Sequence, residues 1–341
     1  MRRSDIQDFI ADAGWQNAVM TPLAGDASRR RYLRLVEPET GDRAVLMDAP
    51  TDHGEDVRPF VSVAGYLRSI GLSSPEILDA RADLGLLLIE DLGDDLFARL
   101  TLNEPKLETL LYQNATDLLV RLHLEKPPEN LASYTPTVMV EQSALILDWY
   151  SGNVSKSVSE KDKEEFTNVL FELLSEHASV ADVLVQRDYH SENLIWLPDR
   201  VGIKRVGLLD FQDATLGHRM YDLVSLLQDA RRDVSPDIET AMRRRYADAT
   251  GCPVQSSDVA YAVLGAQRTL RIIGVFARLA IRDSKPHYLE LMPRVWDLLQ
   301  RNLAHPALAD LAQITHDLIP EPSDAIKKTL RQRCDTTPAQ S

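Results

Sequence analysis

Hydrophobic positions follow two different periods along this chain. In the first 92 residues the period is mostly two. Arg31–Val36 puts Tyr32 and Arg34 on one face and Leu33 and Leu35 on the other, which predicts a strand. Residues 20–24 predict its partner, across the turn Gly25-Asp26-Ala27-Ser28. Arg43–Asp48, after the turn Glu39-Thr40-Gly41-Asp42, and segments 76–80 and 85–89 predict three further strands. Val57, Phe60, Val61, Ala64, Leu67 and Ile70 recur at helical spacing, and Ser73-Ser74-Pro75 ends that helix. A short leading helix through Ile6, Phe9 and Ile10 is expected, with Ser4 and Gln7 as its capping box.

After Gly93 the period becomes helical. Leu107, Leu110, Leu111, Leu118, Leu119 and Leu122 mark one long amphipathic helix. Phe166, Val169, Leu170, Leu173 and Leu174 mark another, with Ser159 and Asp162 placed to cap it. A β-rich island interrupts this half, with short apolar runs at 183–185, 194–197 and 206–209. Helices are expected over 218–232, 236–249, 258–282, 287–303 and 306–317, and a loose polar tail over 322–341. The pattern divides the chain into a sheet-rich part, 1–92, and a larger helical part, 93–341.

Composition narrows the function. With 341 residues the chain is long enough for one large domain or two lobes. Its 38 basic and 52 acidic residues give a net charge of −14, which repels a phosphate backbone, so no nucleic-acid partner is expected. A local basic cleft stays open. Two distant cysteines, Cys252 and Cys334, exclude a disulfide framework and a zinc ribbon. No His-x-x-x-His pair supports zinc, and no Gly-x-Ser-x-Gly elbow anchors a hydrolase triad. No apolar run follows Met1-Arg2-Arg3, and the run 84–89 is far too short to span a bilayer. A cytoplasmic protein with no membrane partner is expected; oligomeric state is not legible.

The chemistry lies in the island. Gln186-Arg187-Asp188-Tyr189-His190-Ser191-Glu192-Asn193 leads into a short strand, and Leu208-Leu209-Asp210-Phe211-Gln212 follows a second one. Asp or Asn alone in a loop is ordinary turn chemistry. The two elements together offer what phosphoryl transfer to a hydroxyl needs. Asp188 can orient the hydroxyl, and Asp210 with Asn193 supply hard oxygen ligands for Mg²⁺. Tyr189 and His190 read first as packing, and Asp213 as a solvated turn. Trp149, Trp196 and Trp296 read as core or cleft wall, and Arg243-Arg244-Arg245 as a solvated helix face. Arg268 and Arg271 share a helix face and suit either a cleft for an anionic sugar or a surface ion pair.

These motifs resemble the aminoglycoside phosphotransferase family over roughly residues 15–300. Asp188-x-x-x-x-Asn193 resembles its catalytic loop, and Asp210-Phe211-Gln212 its Asp-Phe-Gly metal element. Glu90-Asp91-Leu92 resembles the hinge whose backbone binds adenine. Gly25, Asp26, Ala27 and Ser28 resemble the turn that covers the phosphates, with Arg30 beside it. Met220-Tyr221-Asp222 resembles the helix whose Asp braces the catalytic loop. The resemblance implies an α+β, bilobal protein-kinase-like fold, with a small antiparallel-sheet N-lobe and a larger, mostly helical C-lobe. It implies an ATP- and Mg²⁺-dependent kinase of a small-molecule hydroxyl. The phrases at Gly25–Tyr32, Val45–Pro50 and Arg187–Ser191 resemble one bacterial branch, which includes kinases of the anomeric hydroxyl of N-acetylmuramate and N-acetylglucosamine. An antibiotic-inactivating aminoglycoside kinase and a nucleotide-binding pseudokinase are the alternatives.

Three departures stand out. Met47 occupies the third-strand position where this fold usually has a phosphate-binding Lys, and a thioether cannot replace that charge. Arg29, Arg30, Arg31 and Arg58 are the cations nearby. The usual helix Glu partner is missing too, with only Glu55 and Asp56 just ahead of the helix. Gln186 replaces the usual His two residues before the catalytic Asp.

Overall fold

The computed structural model describes residues 2–23, 30–154 and 158–334. In chain order the elements are α1 (Arg2–Asp12), β1 (Val19–Pro22), β2 (Arg31–Val36), β3 (Arg43–Asp48), α2 (Arg58–Ser69), β4 (Ile77–Arg81), β5 (Leu86–Glu90), α3 (Phe97–Asn103) and α4 (Glu108–Leu124). Then follow α5 (Pro136–Leu145), a π-helical turn (Ile146–Ser151), α6 (Gly152–Val154), α7 (Glu160–His177), β6 (Val183–Val185), β7 (Leu194–Trp196), β8 (Val206–Leu208) and β9 (Thr215–Gly217). The chain closes with α8 (Met220–Leu227), α9 (Pro236–Thr250), α10 (Val254–Asp283), α11 (Met292–Leu303), α12 (Ala309–Leu318) and α13 (Asp324–Cys334).

The chain separates into two compact units, Met1–Leu118 with Ser191–Ala214, and Leu119–His190 with Thr215–Ser341. This division differs from a cut after residue 92, and the reason is hydrogen bonding. In the first unit, Leu208 donates to the Ser73 carbonyl (2.9 Å), Trp196 to Asp95 (2.7 Å) and Ala98 to Ser191 (3.0 Å). The β7–β8 hairpin is thereby tied to the sheet-rich segment despite its distance along the chain.

The first unit is built on a five-stranded sheet of order β1-β2-β3-β5-β4, every pairing antiparallel. The central strands are buried almost throughout, as continuous apolar runs demand. Phe9 and Ile10 of α1 join Leu35, Ala44, Leu46, Leu86 and Leu88 in one core cluster. Asp48, 1% exposed, is held by the guanidinium of Arg2 and by Arg31 at 2.6 Å, so α1 is fixed to β3 by charge as well as by packing. Gly85 opens β5 at φ +64°, and Ala49 donates to its carbonyl at 2.9 Å.

The second unit packs around α10, a 30-residue helix against α5, the π-helical turn, α8, α11 and α13. Gln255–Asp283 is long and apolar enough to cross a membrane by length and composition, which the sequence pattern missed. Of its apolar window, 83% is buried inside the fold. Strand β6 pairs antiparallel with β9. Helix α7 starts at the expected capping box of Ser159 and Asp162.

Three expectations are corrected. Ser4 lies inside α1 and does not cap it, because the helix is already formed at Arg2. Residues 324–334 of the expected loose tail form α13, where one buried residue, Leu330, and ion pairs from Lys327 and Arg331 to Glu290 hold an otherwise polar segment. Helix α8 ends at Leu227, well short of residue 232. The elements α3, α5 and β9 went unread in the sequence.

A Cβ at Gly85 would meet the Ala49 carbonyl oxygen at 1.9 Å in a backbone region that L-residues avoid. Gly85→Ala is therefore expected to destabilise the protein by about 2 kcal/mol or more. Gly65→Ala, on exposed α2 backbone with nothing within 4 Å, should instead stabilise it by about 0.5–1 kcal/mol. Urea midpoints of the two variants against the parent decide the matter.

Candidate active site

A cavity of about 480 Å³ opens in the first unit. The period of two in β2 sends Tyr32 and Arg34 into it, where they meet Val45 of β3, Phe60 of α2 and the strap Glu90–Gly93. Asn193, Leu209 and Asp210 also line it. The strap is fixed by charge: Arg34 Nε lies 2.7 Å from Asp91 and Nη1 lies 2.8 Å from Asp94, while Asp91 accepts from Gly93 N at 2.9 Å. Glu90 turns its carboxylate to Arg200 and Arg68, and its N–H donates to Glu76 O at 2.8 Å. Leu92 is nearly buried. The sequence named Glu90, Asp91 and Leu92 but passed over Arg34; its place beside Tyr32 on one strand face was the available signal.

Gly25, Asp26, Ala27 and Ser28 lie outside the described residues, as does Arg29. Arg30 lies within them. Its Nε stands 3.2 Å from Glu55, immediately ahead of α2, and its side chain is hydrogen-bonded to Tyr32. Burial pushes the Tyr32 phenol up to about 12, with Arg30 opposing the shift and Asp210 adding to it. Met47 is core, 1% exposed, and paired across the sheet with Tyr32 and Leu87. Arg31 is taken up by Asp48, and Arg58, mostly exposed, lies beside Asp56.

The β7–β8 hairpin brings Asn193 and Asp210 together. Leu194 pairs with Leu208, and Leu209 N donates to Asn193 O at 3.0 Å. The Asn193 amide nitrogen then lies 3.4 Å from Asp210 Oδ2. Asp210 sits in the left-handed region at φ +54°. Such strain persists only where neighbours over-determine it. Here Phe211, fully buried, stacks on Phe60 at 4.8 Å, and Gln212 Nε2 donates to Asp210 Oδ1 at 2.7 Å. The donor set is one carboxylate and one amide, whose oxygen would face the carboxylate after a half-turn of the amide. That set fits Mg²⁺, which keeps several waters and phosphate oxygens of its own. Among the described residues no group of three His, Cys, Asp or Glu forms a closed metal cage.

Asp188 belongs to the second unit. As β6 ends, Gln186 N and Arg187 N donate to the two oxygens of Asp222 at 2.6 and 2.9 Å. Ser225 Oγ donates to Arg187 O at 3.2 Å, and Arg187 takes φ +70°. This tight turn sets the direction of the next residue, Asp188. Gln186 is anchored through its backbone, which explains why a His side chain is not required there. Burial pushes Asp222 up to about 7 against those two backbone donors. Burial also raises the Asp188 carboxyl, but Arg271, His190, Arg268 and Arg187 outweigh it and leave Asp188 below its ordinary value. Arg271 stands 3.7 Å from Asp188. Tyr189 is core, and His190 is buried beside Arg231 at 3.2 Å. Asp213 is exposed.

The model of the phosphotransferase enzyme family, APH, matches residues 19–261. The chain belongs to that family. An N-acetylmuramate/N-acetylglucosamine kinase of Caulobacter vibrioides is 37% identical to this phosphotransferase, over 89% of this chain and 93% of the relative. A kinase of the same name from Pseudomonas aeruginosa is 34% identical, over 91% and 92%. Among solved structures, a Plasmodium vivax ethanolamine kinase superposes with TM-score 0.63 at 12% identity, covering 90% of this chain and 88% of that one. The ADP-bound aminoglycoside phosphotransferase APH(2'')-Ib superposes with TM-score 0.59 at 12% identity, over 91% and 98%. The fold of this phosphotransferase is protein-kinase-like, with an antiparallel N-terminal sheet and a helical remainder.

Buried titrating groups set the acid stability of this phosphotransferase. Burial lowers His123 to about 3, and His190 and His218 to about 4, from 6.5. From pH 6.5 down to 4 the unfolded chain binds three protons that these folded histidines refuse. Asp222 works the other way, binding one proton in the folded state over that range. The net of two protons predicts a stability loss of up to about 2.7 kcal/mol per pH unit as pH falls from 6.5 towards 4. Urea unfolding between pH 4.5 and 7 checks the slope, and His123→Gln should flatten it by about 1.4 kcal/mol per pH unit.

Proposed function

We propose that this phosphotransferase moves the γ-phosphoryl group of ATP to the anomeric hydroxyl of an amino sugar, N-acetylmuramate or N-acetylglucosamine, as part of cell-wall recycling in the cytoplasm. The likeness to kinases named for both sugars, over about nine-tenths of each chain, carries this reading. The grouping of Asp210, Asn193 and the Glu90–Gly93 strap around one cavity supports the nucleotide half of it.

In this reading the backbone of Glu90, Asp91 and Leu92 receives adenine, and the turn Gly25–Ser28 covers the phosphates. Asp210 and Asn193 hold Mg²⁺, which supplies neutralisation of the phosphate charge when bound. Arg30, gripped by Glu55 and Tyr32, stands in for the cation that Met47 cannot provide. Its partner precedes α2, so an ion pair is kept although both usual members are gone. Asp188 stays ionised beside the guanidinium groups of Arg271, Arg268 and Arg187 and accepts a hydrogen bond from the acceptor hydroxyl. Phosphoryl transfer proceeds through a loose transition state, so orienting that oxygen in line matters more than removing its proton early.

ADP release is measured with ATP and Mg²⁺ over N-acetylmuramate, N-acetylglucosamine, other free sugars and kanamycin-type aminoglycosides. Turnover on the acetylated amino sugars is expected. Asp188→Asn should lose about 10²–10⁴-fold in kcat while ATP affinity stays within about twofold. Turnover confined to aminoglycosides, or ATP binding without any turnover, would sink the reading. Arg30→Met should raise the KM for ATP about tenfold, whereas Arg31→Met and Arg58→Met should leave it close to the parent value.

A further inference from the structure

We propose that Arg200 is a positioning residue: through Glu90 it sets the distance from the strap Glu90–Gly93 to Asn193 and Asp210, the proposed metal ligands, so that the β7–β8 hairpin gauges the length of the bound nucleotide. The inference rests on the proposed function and names the residue that spaces the base end and the phosphate end of the same cavity.

The strap, Asn193 and Asp210 line one cavity of the first unit. The hairpin holds the strap along its length. Beyond the far end, Trp196 N donates to Asp95 O at 2.7 Å and Leu96 bridges to Ile195. The middle rests on β8 at Gly207, where a Cβ would come 3.0 Å from Leu92 Cδ1. The near end has one polar link to the hairpin among the described residues, the ion pair of Glu90 with Arg200. Glu90 also lines a second cavity, of about 470 Å³, together with Arg200 and Arg68. Arg200 belongs to that second cavity alone, so it grips the strap from behind without facing the nucleotide cavity. Arg68 is a weaker holder: its Nη1 stands 3.5 Å from Glu90, while its Nη2 is taken by Glu76 at 2.9 Å.

A gauge must be stiff, and the turn that carries Arg200 is closed on itself. Arg200 N donates to Leu197 O at 3.1 Å, Leu197 N to Arg205 O at 2.8 Å, and Arg205 Nε to Arg200 O at 3.0 Å. Ser73 Oγ fastens the same turn by donating to Lys204 O at 2.7 Å. The side chains of Arg200 and Glu90 are 31% and 29% exposed, so water and salt screen this pair less than a surface pair. A nucleotide held at both ends fits only if their spacing matches its length, and an error of about 1 Å can cost up to about 10²-fold. A ligand held at one end does not feel that error.

The test is the affinity for ADP, measured by calorimetry with Mg²⁺ and again in EDTA. Without the metal, ADP engages the strap but not Asn193 and Asp210. Arg200→Met and Glu90→Met should each weaken ADP binding about tenfold in Mg²⁺ and leave it within about twofold of the parent in EDTA. Arg200→Lys should restore part of the loss. The double variant should be no weaker than either single one, because both break the same link. Glu90→Met keeps the test available if Arg200→Met folds poorly. A strap that merely loses support weakens ADP equally with and without the metal. That result, or single variants that match the parent in Mg²⁺, overturns this inference and spares the proposed function. A parent that binds no ADP, or binds it no better with Mg²⁺, overturns the nucleotide half of the proposed function, and this inference with it.

Discussion

The Asp222 carboxylate accepts the backbone N–H groups of Gln186 and Arg187, and the geometry of the loop after β6 depends on that contact. Two consecutive donors cannot converge on one carboxylate in a strand, where successive groups point opposite ways. The chain must turn there, and Arg187 takes up the turn in the left-handed region. Asp222 itself is fully buried on α8, so the anchor is as rigid as the helical core behind it. A loop that must present one carboxylate at a fixed angle is in this way referred to packed helices rather than to its own flexible backbone.

Two opposite electrostatic settings lie 34 residues apart in the chain, at Asp188 and Asp222. Asp222 is desolvated, and burial raises its carboxyl to about 7 against two backbone donors and Arg268. Asp188 is surrounded by guanidinium groups and remains an anion. Both are aspartates, and their surroundings set them apart: one holds the loop, the other is kept ionised within it. The same surroundings explain why the loop tolerates Gln186, since a backbone N–H makes the anchoring bond whatever the side chain.

Much of this was legible in the sequence. Alternation predicted β2 at its observed limits, and the turn at residues 39–42 with the apolar run after it predicted those of β3. The approach of Asn193 to Asp210 was legible because each flanks one of two short apolar runs, which pair as a hairpin. What escaped depends on partners distant in sequence. Helix α13 has a single buried apolar residue, so no periodicity announces it. Residues 191–214 join the first unit through hydrogen bonds to Ser73, Asp95 and Ala98, and no local pattern encodes those. The Arg30–Glu55 pair escaped for the same reason: each residue alone looks like surface charge. Arg268 is buried and Arg271 lies 3.7 Å from Asp188, and neither placement could be read from the helix face alone.

Helix α2 holds two separate parts of the first unit at once. The residue group ahead of its start holds Arg30 through Glu55, and one turn into it Phe60 stacks on Phe211, next to the strained backbone of Asp210. The helix is a yoke. A small slide along its axis would loosen the arginine and unseat the aromatic ring in the same movement, so the placement of Arg30 and the backbone of Asp210 are geared to each other.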